Sequence, residues 1–525
     1  MSRSVRRAVR TRTRRVDPAG RTRCLAPPAL PYREDGRAVP IDIQHVDVAI
    51  EFDGRNGTAV AAATVRFRAL ADGYPLFDLV PAIEACAIDG EHATVGTVAV
   101  RQGGAEVTRM RALHRRLRCG SLHELALRYS LSDSLRYLDR GSGRVGFGFF
   151  MSDLGDAGRA GRSFLERYVP ANLEYDQFSL RVELVVRNSR FPHLLFTTGR
   201  LRWQRSRADN DGWHDRWQVE FPDHTTCSSP FLHLFAAAPE RPFCRQREWL
   251  RADRRTVPVE VYSRDADAAA LAIDRLCRFF PDLERRFGPY PHAALIAYVT
   301  ADPVSPVPGA DAASGAPGPG PRGMEYCGAM MVDADDRRLR HELAHCWFGR
   351  GVLPASGGDG WLDEAIVLWL LREPDPGEYR LPGRGRMPLS VRSPYHRTTS
   401  KAIYGRGASV MRHVDWMLRR AGRRLGLTVA LHRFFNRFRL LPSSTVDFTQ
   451  LVRDEFGVDL EDTFDELVYA GRRTAATPPN AVDVEDGCAA PRVEAPAPIV
   501  PGLRRYRPDE IVEYLLVDGS HAGER

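Results

Sequence analysis

A chain of 525 residues is too long for one ordinary hydrophobic core, and 43% hydrophobic with 27% charged residues places it among folded globular proteins rather than disordered ones. The formal charge of +8 points to anionic partners until it is located: residues 1–23 hold nine arginines against the single acid Asp17, which accounts for the whole surplus and leaves the body formally neutral. No apolar run approaches the roughly eighteen residues of a bilayer span, the longest being "AIVLWLL" at 365–371, so an integral membrane protein is excluded.

The first 34 residues read as a basic, solvated arm, and nucleic-acid or acidic-lipid binding is a use the chain could make only of that arm. It has no apolar stretch after its arginines and does not resemble a secretory signal. Nine cysteines without a CxxC pair fit reduced thiols, so a cytoplasmic protein is expected. From 35 to 245 the pattern alternates. "VDVAIEF" sets Val46, Val48, Ile50 and Phe52 on one face, "DGRNG" turns, and "FSLRVELVV" repeats the alternation from Phe178 to Val186. This is a mostly β domain.

Helical spacing begins in "DADAAALAIDRLCRFFPDLERRFGPYP", with Leu271, Leu276, Phe279, Phe280 and Leu283 on the expected apolar face and Gly288 as the stop. "HAALIAYVT" reads as a buried strand, and the Pro/Gly-rich 302–322 as a flexible surface loop. Helices are expected to dominate 337–471, within a second domain spanning 246–475. An extended tail, 476–525, follows.

The chemistry lies in "RLRHELAHCWFGRG". His341 and His345, four residues apart on a helix, share a face and can turn both imidazoles toward one metal ion, with Glu342 beside them. A lone HExxH arises by chance in about one chain of this kind in forty. Catalytic zinc takes three protein ligands and keeps a position for water, and Glu364, nineteen residues after His345 in "GWLDEAIVLWLL", is a candidate third ligand, a charge that is costly to bury unless paired or metal-bound. Requiring that glutamate lowers the chance expectation roughly twentyfold further.

"HELAHCWFGRGV…GWLDEA" resembles the signature of the gluzincin aminopeptidases, the aminopeptidase N and leukotriene hydrolase group. "RGMEYCGAMMV" resembles the family's exopeptidase strand, and "AIYGRGASVMRHVDWML" its helix bearing a catalytic tyrosine. The resemblance covers about 35–471. It departs at Arg406 (usually lysine), Asp363 (usually asparagine), Ile366 and Val367, none of them a ligand. It implies an α+β multidomain fold: an N-terminal β-sandwich-like domain, then a thermolysin-like, mainly helical zinc catalytic domain, in a shortened form without the family's C-terminal β-sandwich and helical domains.

By the same resemblance, one zinc ion per chain is held by His341, His345 and Glu364. Glu342 is the general base and Tyr404 the donor to the developing oxyanion. Glu325 receives the substrate's free α-ammonium, while the backbone at Gly323 and Met324 pairs with its main chain. Glu166 lies near where the family supplies a second amine contact, but reads better as a surface acid. Cys327 and Cys346 read as small buried thiols. The expected activity is release of the N-terminal residue from peptides with free N-termini. The competing readings are an endopeptidase or epoxide-type hydrolase on the same site, and a binding or scaffold protein that keeps the fold without turnover.

Overall fold

The computed structural model describes residues 26–469, apart from 34–35, 101–107, 132–136, 140–144, 148, 151–164, 191, 237–242, 252–253, 264, 301–322, 334, 372–386, 397–399 and 401. The arginine cluster before residue 26, the loop 302–322 and the tail 476–525 lie outside the described residues.

The alternating segments of the first half form a large, mostly antiparallel sheet. Its main path runs Arg200–Asp209, Gly212–Thr225, Phe178–Ser189, Gly36–Asp53, Thr58–Ala69, Leu122–Ser130, Ile83–Ile88. The pairing of Phe178–Ser189 with Gly36–Asp53 is parallel, and "DGRNG" closes the hairpin in which Asp53 faces Thr58. Successive strand residues point to opposite faces, so Val46, Val48, Ile50, Phe52 and the set Phe178 to Val186 all enter one buried core, with Trp217 and Tyr129.

The second half builds a five-stranded sheet in the order Phe243–Leu250, Thr256–Ser263, Leu295–Thr300, Ala329–Asp333, Gly323–Tyr326. Its three central strands run parallel, and Gly323–Tyr326 lies antiparallel at an edge. "HAALIAYVT" is the expected buried strand, with Leu295, Ala297 and Val299 inside.

Seven helices are described: α1 Ala266–Phe287, α2 Asp336–His345, α3 Gly360–Leu371, α4 Ala402–Arg420, α5 Leu427–Phe438, α6 Thr445–Phe456 and α7 Glu461–Leu467. Asp265 caps α1 by accepting from the amides of Asp267 and Ala268, and Gly288 ends it at φ +113°. Leu276, Phe280 and Leu283 are buried and Phe279 half-buried, but Leu271 is 45% exposed, against expectation. It stands five residues before Leu276, about 140° around the helix at 3.6 residues per turn, and so faces solvent. The helices share one core with the smaller sheet. Both cores sit in a single compact unit, bridged by bonds such as Gln177 Nε2 to the Leu440 carbonyl at 2.8 Å. No helix among the described residues is long and apolar enough to cross a membrane.

Candidate active site

Helix α2 starts where Asp335 accepts a hydrogen bond from the Arg338 amide, 3.0 Å away, and its C-terminal half carries both histidines, one turn apart. His345 Nδ1 lies 3.0 Å from the Phe348 carbonyl, an acceptor, so this nitrogen donates and Nε2 is left to face the site. Nε2 of His341 is 3.1 Å from Nε2 of His345. Glu364 on α3 brings Oε2 to 3.6 Å from the first and 3.8 Å from the second.

Three donor atoms thus lie within 4.8 Å of one another, a set able to hold a metal ion. The donors fit zinc, two imidazole nitrogens and one carboxylate oxygen. The fit has a second support: Glu364 Oε2 is buried without a hydrogen-bond partner among the described residues, which costs stability unless a cation takes it.

Burial and the gathered carboxylates set the two histidines apart in proton affinity. Burial, with His345 beside it, pushes His341 down to about 3. Burial opposes a charge on His345 as well, but the carboxylates of Glu325, Glu364, Asp363 and Glu342 outweigh it and push this histidine up to about 9. Burial raises Glu364 despite His345, and raises Asp363 to about 7. Glu342 is raised well above the ordinary carboxylate range by burial and then by the Glu325 charge. Its Oε2 also lacks a partner among the described residues.

Glu342 points at the edge strand. A β-carbon on Gly323 would fall 2.0 Å from its Oε1, so any larger residue there would have to push the Glu342 carboxylate aside. Alternation along that strand turns Met324 and Tyr326 the other way, into a small apolar cluster with Phe196 and Phe231. Only the backbone of Met324 is therefore available to a ligand on the Glu342 side.

Tyr404, near the start of α4, exposes its ring but turns its hydroxyl inward to donate to Glu364 Oε1 at 2.9 Å. Burial of that hydroxyl, with Glu364 alongside, raises its pKa. Arg406, where the family pattern has lysine, donates instead to the carbonyls of Met387 (2.8 Å) and Leu467 (2.9 Å). Glu325 is largely buried and accepts from Nη2 of Arg350 at 3.1 Å.

One expectation from the sequence is corrected here, and one residue is added. Glu166 is not a surface acid: it is fully buried in a short 3-10 turn whose carbonyl accepts from the Val80 amide at 2.8 Å. Cys346 is buried as expected, and Cys327, a half-buried residue, has a thiol that burial pushes up to about 11, leaving it unreactive. Arg350 was not among the candidates, its sequence signal being one charged residue in the otherwise apolar "CWFGRGV".

No protein-family profile and no curated protein sequence matches the chain. Solved structures do. The M1 zinc metallopeptidase from Deinococcus radiodurans superposes with a TM-score of 0.55 at 19% identity, over 83% of this chain and 94% of that one. A glutamate-to-alanine mutant from the same organism, bound to a Tyr-Ser-Ala substrate, gives 0.53 at 19%, over 82% and 95%. A two-domain M1 zinc metallopeptidase mutant bound to L-tryptophan gives 0.54 at 19%, over 83% and 95%. The chain has the fold of the M1 zinc metallopeptidases.

Proposed function

We propose that this protein is a zinc-dependent aminopeptidase that removes the N-terminal residue of peptides. One observation carries the reading: the three donor atoms of His341, His345 and Glu364 converge within 4.8 Å, beside the buried carboxylate of Glu342. Zinc, when bound by these three residues, supplies Lewis acidity that lets water ionise near neutral pH and polarises the scissile carbonyl.

Glu342 takes the proton of the attacking water and passes it to the leaving amine. Burial raises its proton affinity, which favours the first half of that transfer. The Tyr404 hydroxyl turns from Glu364 to the substrate's carbonyl oxygen as negative charge builds there; such a donor is worth about 3 kcal/mol. Glu325 receives the α-ammonium through a charge-assisted hydrogen bond, which aligns the first peptide bond with Glu342. Strand Gly323–Tyr326 is an edge of its sheet, so its outer side can pair with the substrate's main chain as an added strand.

The two-domain M1 neighbour is matched over 95% of its length, which supports the same reading. In this reading the first half is the β-sandwich-like domain and the second the thermolysin-like catalytic domain. A panel of fluorogenic aminoacyl substrates, assayed with and without a chelator, tests the proposal. Chelator-sensitive release from aminoacyl substrates supports it; turnover untouched by metal removal refutes it.

A further inference from the structure

Arg350 is buried one turn beyond α2, its side chain 6% exposed, between two elements that the sequence keeps far apart. Nη2 donates to Glu325 Oε1 at 3.1 Å, and Nη1 donates to Ser228 Oγ at 3.0 Å, 122 residues away. Nε has no hydrogen-bond partner among the described residues, so the two outer nitrogens carry the contacts. Ser228 is itself buried, in the loop after strand Gly212–Thr225. The next residue of that loop, Ser229, accepts from the Cys327 amide at 3.2 Å, just past Glu325. The Arg350 backbone is pinned as well, its amide donating to the His345 carbonyl at 2.9 Å.

A guanidinium with fixed donors holds a carboxylate in one orientation, which a flexible ammonium does not. We propose that Arg350, steadied by Ser228, is a positioning residue for substrate recognition: it clamps Oε1 of Glu325 so that the other oxygen is presented to the substrate's α-ammonium. This rests on the aminopeptidase reading above. Arg350 touches no reacting atom; it acts through Glu325. The clamp makes the amine subsite a composite of both halves of the chain, with Ser228 supplied by the β half.

The test is a double-mutant cycle on an aminoacyl substrate and its N-acetyl counterpart, with zinc content and circular dichroism recorded for each variant. The expected outcome for Arg350→Met is a KM about tenfold higher or more for the free-amine substrate, the scale of a lost charged hydrogen bond, with a much smaller change in kcat. Adding Arg350→Met to Glu325→Gln is expected to raise KM no further, because the clamp has lost its object. Ser228→Ala, a milder change that does not strand a charge, is expected to raise KM a few-fold and covers the case in which Arg350→Met fails to fold. An unchanged KM in folded Arg350→Met or, if that variant does not fold, in Ser228→Ala overturns the clamp, as do fully additive effects of the two substitutions. A wild-type protein that cleaves both substrates equally overturns the aminopeptidase reading itself, and the clamp with it.

Discussion

A β-carbon on Gly323 would stand 2.0 Å from Oε1 of Glu342, so the edge strand and the buried carboxylate meet with no room for a side chain between them. Gly323→Ala is therefore expected to push Glu342 out of line while leaving the ligands on α2 and α3 in place. The expected result is a kcat at least about 100-fold lower, as for Glu342→Gln, with zinc content unchanged. Steady-state kinetics beside metal analysis check this; a Gly323→Ala enzyme with normal kcat argues against Glu342 as the base.

Tyr404 donates to Glu364 at 2.9 Å in the resting site. If the hydroxyl serves the oxyanion, Tyr404→Phe lowers kcat about 100- to 1000-fold with little change in KM. If it serves only to orient Glu364, the variant loses zinc affinity and keeps its rate once saturated with metal. Titrating activity against added zinc separates the two.

Metal uptake should expel a proton. In the metal-free site His345 is held up at about 9, so it is protonated at pH 7, yet a zinc ligand must present a lone pair. Zinc binding at pH 7 is thus expected to release at least one proton, the carboxylates that burial raises adding to the histidine's, and affinity is expected to rise with pH. Calorimetry in buffers of different ionisation enthalpy measures the count. Release of no proton contradicts a charged His345.

His292 tests the packing behind the site. Burial, with the charge of His224 nearby, pushes it down to about 3, while its ring lies 3.2 Å from the Cys346 carbonyl. The unfolded chain therefore binds a proton at this residue between about 3 and 6.5 that the folded one refuses. Its contribution to stability is intact above pH 6.5 and erodes as the pH falls toward 3, by up to about 1.4 kcal/mol per pH unit. His292→Gln is expected to flatten the decline of Tm between pH 6.5 and 4.5. Parallel melting curves for the two proteins contradict it.

Much of this was legible in the sequence because its signals are local. Alternation from Val46 to Phe52 reports a buried sheet face directly, and two histidines four apart on a helix must share a side. Leu271 shows the limit of the same logic: an apolar residue counts only if its phase matches its neighbours, and 140° from Leu276 it does not. Glu166 and Arg350 were misread or missed for a different reason. An acid or a base in isolation reads as solvated surface, and only the folded chain brings Ser228 across 122 residues to make burial of Arg350 tolerable.

In the proposed aminopeptidase a zinc site and an amine subsite act together to remove N-terminal residues. The most direct test is to incubate the zinc-loaded protein with one peptide in free and N-acetylated forms and to identify the products by mass spectrometry. Stepwise release of single N-terminal residues from the free peptide, with the acetylated one left intact, is the predicted result. Internal cleavage, or equal attack on both forms, would contradict it.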